Sequence, residues 1–537
     1  YNRANDEYVL HTTSQNPHLT RLLISAFVLG IPENKLTVIA PDVGGGFGSK
    51  IYHYGEEALV LAAAKRLNRP VKWTADRSEA FLTDAHGRDH VTKIELAMDA
   101  EGNFLAFRTE TMANVGAYLS NFSTATPTFL HGTLMAGNYT VPNVYVNVKA
   151  VFTNTTPVDA YRGAGRPEAT YSLERVIDKA AREIGMDPIE LRRKNFIKPD
   201  QYPFASAAGL EYDSGNYDAL MDKMEDVSDM AGFAERRKAS EAKGLLRGFG
   251  VNAYIEACGI APSNLVGVLG SRVGLYDAAT VRVNATGNLS VMVGAHSHGQ
   301  GHETAFPQVV ADMLGIDASS IDIVHGDTSK IPFGMGTYGS RSLAVCGSAV
   351  VRATEKIINK AKKIAGHMLE ASGSDIELKD GVFSIVGTNK SVSFGEVALK
   401  AYIPHEFPLE DLEPGLEETA FYDPANFTYP SGAYCCEVEL DPETGKVRVD
   451  RFTAVDDFGN IINPMIVTGQ VHGGLGQGIG QALLENTTYD ENGQLLSASY
   501  MDYTMPRADD LPFYTVDHSQ GNPCTHNPLG VKGCGEA

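Results

Sequence analysis

Apolar residues recur along the chain with two different periods. Positions 17–29 carry them at helical spacing, Asn16 stands where a helix cap is expected, and Gly30 follows as a stop signal. A second helical pattern covers 351–369, whereas polar and apolar residues alternate through 445–455 as they do in a strand. The two periods together predict an α+β (mixed α/β) fold.

One helix–turn–strand pattern occurs twice. Both copies contain Leu-Gly-Ile, and at equal offsets they share a glutamine before the helix, a short apolar strand and an aspartate: Gln15, 36–39 and Asp42, then Gln300, 321–324 and Asp327. Such units are common, but the matched glutamines argue against coincidence. We therefore expect an internal duplication. Its two related halves would face a common ligand, each presenting an amide side chain and helix N-terminal N–H groups.

The length of 537 residues indicates three or four domain-sized units, or fewer large ones, at roughly 150 residues each. A charged stretch at 225–243 has the pattern of a helical linker, so a boundary is expected near residue 240. The first domain would cover 1–240 and the second 241–537. Because the chain opens at Tyr1 and stops just after a glycine-rich motif, we expect a fragment that is truncated at both ends.

The charge balance is acidic, with 45 Lys and Arg residues against 66 Asp and Glu residues and a formal net charge of -21. Such a surface repels phosphate backbones and anionic membranes, which argues against nucleic-acid partners. No run of 18 apolar residues occurs, so no membrane span is expected. The six cysteines form no Cys-x-x-Cys pair, so any iron–sulfur cluster is expected on another chain.

Glycine is abundant, with 54 residues among 537. This is about a tenth of the chain, against a usual share of about 7%. The glycines gather in six clusters between the periodic segments, at 44–48, 163–165, 299–301, 334–339, 473–480 and 533–535. Glycine allows positive φ and lets bare N–H groups approach a ligand closely. Ordinary turns explain some clusters, but all six together favour cradles for one shared anionic ligand.

Two nucleotide-binding patterns fail on their context. The G-x-G-x-x-G at 334–339 neither leaves a strand nor opens a helix directly, so a dinucleotide fold is not expected. After Lys50, Ile51 stands where a P-loop needs Ser or Thr, which argues against nucleotide hydrolysis. Three nearby histidines invite a metal interpretation, but no carboxylate set completes it, so no protein-ligated metal is expected: His296, His298 and His302.

Two charged residues stand within glycine motifs. Glu536 follows Gly533-Cys534-Gly535, and a carboxylate held rigidly and desolvated on such a turn is suited to act as a general base; a solvated surface glutamate is the alternative. Arg162, followed by Gly163-Ala164-Gly165, is placed either to pair a carboxylate or to hold an anion or a developing oxyanion.

Taken together, these motifs resemble one family over nearly the whole chain. The matching stretches, in family order, are 14–17, 44–48, 160–166, 299–302, 336–342, 469–471 and 533–536. The family is the molybdenum-binding large subunit of the molybdenum hydroxylases, the xanthine dehydrogenase and aerobic carbon monoxide dehydrogenase group, and the pattern resembles its form II carbon monoxide dehydrogenase-like branch. The resemblance implies that both predicted halves bind the molybdenum cofactor.

The resemblance also implies a ligand and roles for single residues. The ligand is molybdenum on a pterin dithiolene, extended as molybdopterin cytosine dinucleotide, with no direct protein ligand to the metal. Glu536 matches the family's base, Arg162 would orient the substrate or stabilise charge, and Gln15 would approach the metal's oxo group. The positions implied to hold the cofactor are Gly46, Phe47, Gly48, Arg162, Gln300, Gly301, His302, Thr337, Gly339, Ser340, Arg341, Ser342 and Gln470.

Partners follow from the same resemblance. An iron–sulfur small subunit and an FAD-binding medium subunit would carry the electrons away, in a heterotrimer that is often doubled. The cytoplasm is the expected location, with membrane association through partners as the alternative.

Two departures from the family restrict the substrate. The loop that carries a copper-binding cysteine in authentic carbon monoxide oxidisers has Gly163 here, so copper is not expected. Ile51 replaces a purine-binding glutamate. We therefore expect hydroxylation of an aromatic N-heterocycle or aldehyde, with Tyr254 and Glu256 as pocket candidates. Carbon monoxide oxidation and a non-catalytic glycine-rich binding module remain the alternatives.

Overall fold

The computed structural model describes residues 1–268, 270, 273–519 and 521–536. Strands of the first part are β1 (Tyr8–His11), β2 (Leu36–Ile39), β3 (His90–Met98), β4 (Phe104–Asn114), β5 (Val144–Val151), β6 (Phe204–Ala205) and β7 (Glu211–Tyr212). Its helices are α1 (Pro17–Leu23), α2 (Gly55–Leu67), α3 (Arg77–Thr83), α4 (Arg166–Ile184), α5 (Pro188–Asn195), α6 (Tyr217–Val227) and α7 (Phe233–Glu241).

The second part of the chain contains both four-stranded sheets. Its strands are β8 (Leu246–Ile255), β9 (Asp277–Val283), β10 (Leu289–Val293), β11 (Ile321–Val324), β12 (Ile376–Lys379), β13 (Val382–Ile385), β14 (Ser391–Ser393), β15 (Glu417–Tyr422), β16 (Ser431–Leu440), β17 (Val447–Asp457) and β18 (Tyr514–His518). Its helices are α8 (Ser263–Val268), α9 (His302–Leu314), α10 (Ser348–Leu369), α11 (Phe394–Tyr402) and α12 (Pro464–Leu483). The mixture confirms the predicted α+β class.

The repeated unit of the sequence is a β-α-β unit in the structure. β1 pairs with β2 in parallel across α1, and β10 pairs with β11 in parallel across α9. Each helical segment ends at a left-handed glycine, Gly30 with φ 62° and Gly315 with φ 66°, a conformation that glycine adopts without a Cβ clash. The internal duplication predicted from the matched offsets is therefore present as structure.

The two units join each other edge to edge. Ile39, at the end of β2, forms an isolated bridge with Asp327, just after β11. The Ala40 N–H donates to the Gly326 carbonyl at 2.8 Å, and the Thr328 N–H donates to the Val38 carbonyl at 3.1 Å. Because the strand ends meet, the loops that follow the strands of both units lie in one region.

Two four-stranded sheets complete the second part of the chain. β18, β17, β16 and β8 form one sheet in that order, and the other, β11, β10, β9 and β15, contains both strands of the second unit. The largest buried cluster combines side chains from both sides of residue 240, for example Phe107 and Met224 with Val251 and Tyr429. The two predicted domains therefore share a core, and a boundary near residue 240 stays a prediction.

Several predicted elements have different ends in the structure. α1 stops at Leu23 and continues as a π-helical segment, Ile24–Leu29, before Gly30. Asn16 occupies the N-cap position, but its side chain makes no capping bond and instead accepts a hydrogen bond from the Ser14 hydroxyl. The predicted linker at 225–243 contains the end of α6, a short 3₁₀ turn and α7. None of the described helices has the length and apolarity needed to cross a membrane.

Candidate active site

Loops from both units enclose one cavity of about 310 Å³. Its walls come from segments that the sequence analysis selected for their glycines: 45–48, 160–166, 298–302, 337–344 and 531–536, together with the start of α12. The predicted residues on these walls are Gln15, Gly46, Phe47, Gly48, Arg162, Gln300, His302, Thr337, Gly339, Ser340, Ser342, Gln470 and Glu536. Residues that are far apart in the chain thus meet around one space.

Gln15 is buried at the point where three loops meet. Its side-chain oxygen, Oε1, accepts hydrogen bonds from the Gly48 N–H at 2.9 Å and the Lys50 N–H at 3.3 Å. Its amide nitrogen donates to the Thr337 carbonyl at 2.8 Å, which leaves the second amide hydrogen for a group in the cavity. A Cβ at Gly46 would lie 2.7 Å from this side chain, so a glycine is needed there.

The loop that holds Phe47 packs against the loop that holds Arg162. The Arg162 N–H donates to the Phe47 carbonyl at 2.8 Å, and the guanidinium lies 5.6 Å from the centre of the Phe47 ring. The Phe47 ring is 57% exposed and lines the cavity mouth. A flat aromatic face beside a cation is thus available to a ligand.

The Arg162 side chain fastens the C-terminal segment to the cavity wall. Its Nε donates to the Gly535 carbonyl at 2.8 Å and its Nη2 donates to the Gln470 carbonyl at 3.0 Å. Burial lowers the pKa of Arg162, and the neighbouring Glu536 carboxylate opposes this shift. Since these donors bind backbone, the structure gives Arg162 a holding function that the sequence analysis did not foresee.

Glu536 is held at the cavity by two donors. Its Oε2 accepts a hydrogen bond from the Gly163 N–H and lies 3.4 Å from Nη2 of Arg166. The Glu536 side chain is only 12% exposed. The Gly535 N–H donates to the Ser340 hydroxyl at 3.0 Å, which fixes the residue just before the glutamate. The carboxylate is therefore oriented by its surroundings rather than free in solvent.

A buried ion pair holds the same C-terminal segment at Lys532, a few residues before Glu536. Nζ of Lys532 lies 3.2 Å from Oδ2 of Asp457, and both side chains are fully buried. A Cβ at Gly533 would lie 2.5 Å from the Cβ of Cys258, so close packing requires glycine at this position. The glycine-rich motif therefore serves to bring Glu536 against neighbouring backbone.

Arg166 was not among the residues selected from the sequence, yet it belongs to the cavity wall. Its guanidinium is buried and faces Glu536 on one side and Glu256 on the other, with Nε 3.2 Å from Oε1 of Glu256. Burial raises the pKa of Glu256 to about 7, although Arg166 acts in the opposite direction. The available signal was its position at the end of the motif that contains Arg162.

The two pocket candidates, Tyr254 and Glu256, do not line this cavity, so their contact with a substrate stays a prediction. Tyr254 lies on β8 and its hydroxyl donates to Oδ1 of Asp456 at 2.7 Å inside the protein. Glu256 lies behind Arg166. Alternation after Gly250 placed Tyr254 on a strand correctly, whereas Glu256 follows the end of β8 at Ile255. The alternation did not indicate which face of the strand the cavity would occupy.

Two predicted cofactor residues also lie off the cavity wall. The Arg341 guanidinium is fully buried, 2.6 Å from Oδ2 of the equally buried Asp277, and it donates to the Gly336 carbonyl at 2.9 Å. Gly301 is the N-cap of α9, where an added Cβ would contact Ile466 at 2.7 Å. Both residues support cavity loops from behind.

The remaining predicted positions interact within the wall. The hydroxyls of Thr337 and Ser342 lie 2.9 Å apart, and the Thr337 N–H donates to the Gln15 carbonyl at 3.0 Å. The Gln300 amide nitrogen lies 3.1 Å from Nδ1 of His298. The bond from Thr337 to Gln15 connects the first unit directly to the loop after the second.

The cavity wall fits a ligand with many polar groups. Three of its side chains have a buried polar atom without a partner among the described residues: Nε2 of His298, Nδ1 of His302 and the hydroxyl of Tyr338. Burial lowers the pKa of His302 to about 4, so this ring is neutral at pH 7 and offers hydrogen bonds rather than charge. Buried polar atoms of this kind normally have partners, which a bound pterin would supply.

Comparison with known proteins identifies the family. The molybdopterin cofactor-binding domain matches residues 1–196 and residues 223–512. The chain belongs to the molybdenum hydroxylase large-subunit family. It is 40% identical to the carbon monoxide dehydrogenase large chain of Hydrogenophaga pseudoflava over 98% of this chain. It is 35% identical to the nicotine 6-hydroxylase large subunit of Paenarthrobacter nicotinovorans over 100% of this chain. The chain spans 66% of the length of these two relatives.

Solved structures of this family have the same fold. The crystal structure of quinoline 2-oxidoreductase from Pseudomonas putida 86 matches with a TM-score of 0.94 and 37% identity, covering 98% of this chain and 67% of that one. The Cu,Mo-CO dehydrogenase matches with a TM-score of 0.92 and 39% identity, covering 98% and 66%. Large subunits with different substrates thus fit this chain almost equally well.

Proposed function

We propose that this chain is the cofactor-binding part of a catalytic large subunit that hydroxylates an electron-poor carbon of an aromatic N-heterocycle or an aldehyde. The observation that carries this proposal is the Glu536 carboxylate, oriented at the cavity by the Gly163 N–H and Arg166. A rigid, largely desolvated carboxylate beside a polar ligand site is the arrangement that general-base chemistry needs.

The cofactor we propose is molybdenum on molybdopterin cytosine dinucleotide. When bound, it would supply a Lewis-acidic metal and accept the two electrons of the oxidation. Overall, a C–H group and water become a C–OH group, two protons and two electrons. On the protein side, Glu536 accepts the proton released as the water-derived oxygen attacks the carbon. The second amide hydrogen of Gln15 is available to the cofactor, and Arg162 keeps the base in place.

Partners are part of the same proposal. Both electrons have to leave, and no Cys-x-x-Cys pair exists in the sequence to hold a cluster locally. We assign them to an iron–sulfur small subunit and an FAD-binding medium subunit, in a cytoplasmic dimer of heterotrimers. One relative, 36% identical over 96% of this chain, is a subunit of a 6-hydroxypseudooxynicotine dehydrogenase complex, which supports a multi-subunit assembly.

The second candidate is carbon monoxide oxidation, which the 40% identity to a carbon monoxide dehydrogenase favours. Against it stands Gly163, whose loop offers no thiolate. Cys534 belongs to the cavity segment, but it packs against an apolar cluster and burial raises its pKa to about 12, so it stays a thiol. Measured copper and carbon monoxide turnover in the holoenzyme would support this second candidate instead.

The decisive test is Glu536→Gln in the full-length subunit, purified with its partners. We expect molybdenum content to stay at the wild-type level while turnover of heterocycles and aldehydes falls by about 10² to 10⁴-fold, the usual contribution of a positioned base. Glu235→Gln, at an exposed glutamate on α7, is the matched control and should leave turnover unchanged. Normal turnover in Glu536→Gln would refute the assigned base, and a wild-type enzyme without molybdenum would support the binding module.

A further inference from the structure

One arginine of the cavity wall lies between two carboxylates, that of Glu536 at the cavity and that of Glu256 behind the wall. Nε of Arg166 is 3.2 Å from Oε1 of Glu256, and Nη2 is 3.4 Å from Oε2 of Glu536. The Arg166 side chain is 3% exposed, and the two glutamate side chains are 11% and 12% exposed. Water therefore screens this triad weakly, and each carboxylate is sensitive to the charge of the other.

We propose that Glu256 is a positioning residue for the general base, because it shares the Arg166 cation with Glu536 and so limits how strongly that cation stabilises the Glu536 carboxylate. This inference rests on the proposed function of Glu536. Glu256 does not line the cavity, so it acts through Arg166 and not on the substrate.

The positive charge of Arg166 is shared between two carboxylates. While Glu256 is ionised, Arg166 compensates both of them and stabilises the Glu536 carboxylate less. When Glu256 is neutral, Arg166 pairs with Glu536 alone and stabilises its ionised form, which weakens the base. Burial, opposed by Arg166 and reinforced by Glu536, raises the pKa of Glu256 to about 7, so this charge changes near neutral pH.

The other groups around Glu256 keep their charge in that pH range. Arg162 faces it as a second cation, with its donors bound to backbone carbonyls. Burial raises the pKa of Cys258 well above its ordinary value and that of Cys534 to about 12, so both stay thiols. Tyr434 on β16 also interacts with Glu256, and burial raises its pKa, so it stays a phenol. The two glutamates and Arg166 therefore form the responsive unit.

The test is the pH dependence of kcat/KM in Glu256→Gln, measured on the full-length holoenzyme. Below about pH 6 Glu256 is mostly neutral in the wild type, so Glu256→Gln should match the wild type there. Above pH 7, where the wild-type Glu256 is ionised, kcat/KM of Glu256→Gln should be several-fold lower, because Arg166 then stabilises the Glu536 carboxylate alone and the weaker base accepts the proton less readily. Molybdenum content should match the wild type.

A conservative variant separates this effect from a structural one. Glu256→Asp keeps the charge but withdraws it from Arg166, so its kcat/KM above pH 7 should lie between those of the wild type and Glu256→Gln. A wild-type pH profile in both variants, or in Glu256→Asp alone if Glu256→Gln fails to assemble, would overturn the inference. Glu536→Gln distinguishes the two proposals: full turnover there removes the base itself, whereas an inactive Glu536→Gln with unmoved Glu256 profiles removes only the role of Glu256.

Discussion

At the residue scale, the cavity depends on positions where the backbone of two loops comes so close that a side chain does not fit. Gly48 has φ +107°, and an added Cβ would lie 2.2 Å from the Ala160 carbonyl oxygen. Gln15 binds the Gly48 N–H from the other side. The backbone of one loop therefore lies directly against another, and the glycine is required by packing as well as by conformation.

Gly48→Ala should lower the free energy of unfolding by more than the backbone strain alone would. Positive φ costs about 1–3 kcal/mol for a residue with a Cβ, and the clash with Ala160 adds to it. Gly44→Ala is the matched control, since Gly44 also has positive φ, +63°, but no atom within 4 Å of the added Cβ. Denaturant unfolding of the two variants measures the difference, and equal losses would show that the close approach to Ala160 is unimportant.

At the element scale, paired strands are held by charged cross-strand contacts. Glu439 on β16 lies opposite Arg247 on β8 and Arg448 on β17. Its carboxylate accepts hydrogen bonds from Arg247 at 2.9 Å and from Arg448. One side chain thus connects three neighbouring strands of the sheet that ends near the cavity.

This contact predicts a defined loss of stability in acid. The hydrogen bond from Ser240, those from Arg448 and Arg247, and the charges of the arginines lower the pKa of Glu439 to about 2. A carboxylate whose pKa is depressed by folding contributes stability above its unfolded pKa of about 4.3 and loses it as pH falls through the folded value.

Glu439→Gln should therefore lower the free energy of unfolding at pH 7, and the difference from wild type should shrink as pH falls from about 4.3 towards 2. Denaturant unfolding at a series of pH values measures it. Glu443→Gln, at an exposed position on the turn after β16, is the control and should show no such pH dependence. A difference that stayed constant with pH would exclude the ionised carboxylate as its source.

At the scale of the whole molecule, the duplicated unit places loops on two sides of one cavity. The equivalent glutamines differ in their surroundings. Gln15 is buried among three loops, whereas Gln300 is half-buried and, among the described residues, bonds within its own loop to His298. The loop before α9 is also longer: nine residues separate Met292 from His302, against five between the equivalent His11 and Pro17.

This asymmetry gives Gln300→Ala a specific outcome. Because Gln300 supports only its own loop, we expect normal folding and several-fold lower molybdenum occupancy in the purified holoenzyme. Metal analysis together with the thermal unfolding midpoint separates the two effects, and Gln494→Ala, at an exposed turn, is the control. Full occupancy in Gln300→Ala would count against a role for this residue in holding the cofactor.

The sequence by itself determined the parts of this protein that depend on short-range chemistry. Helical periods, stop signals such as Gly30 and Gly315, and the equal spacing behind Gln15 and Gln300 identified the duplicated unit. The glycine clusters identified most of the cavity wall, because close approach to backbone requires glycine wherever it occurs. Glu536 was found in the same way, from its place on a glycine turn.

Only the tertiary structure decided which side chains reach the cavity and which stand behind it. Arg341 was expected at the ligand, yet it pairs with Asp277 inside the protein, and Arg166 connects Glu256 with Glu536. A charged side chain buried in the core needs a partner, and that partner comes from whatever segment the fold brings near. Partners that are far apart in the chain leave no local sequence pattern. The sequence could therefore predict residues of the cavity wall, but only the tertiary structure could show which of them contact each other.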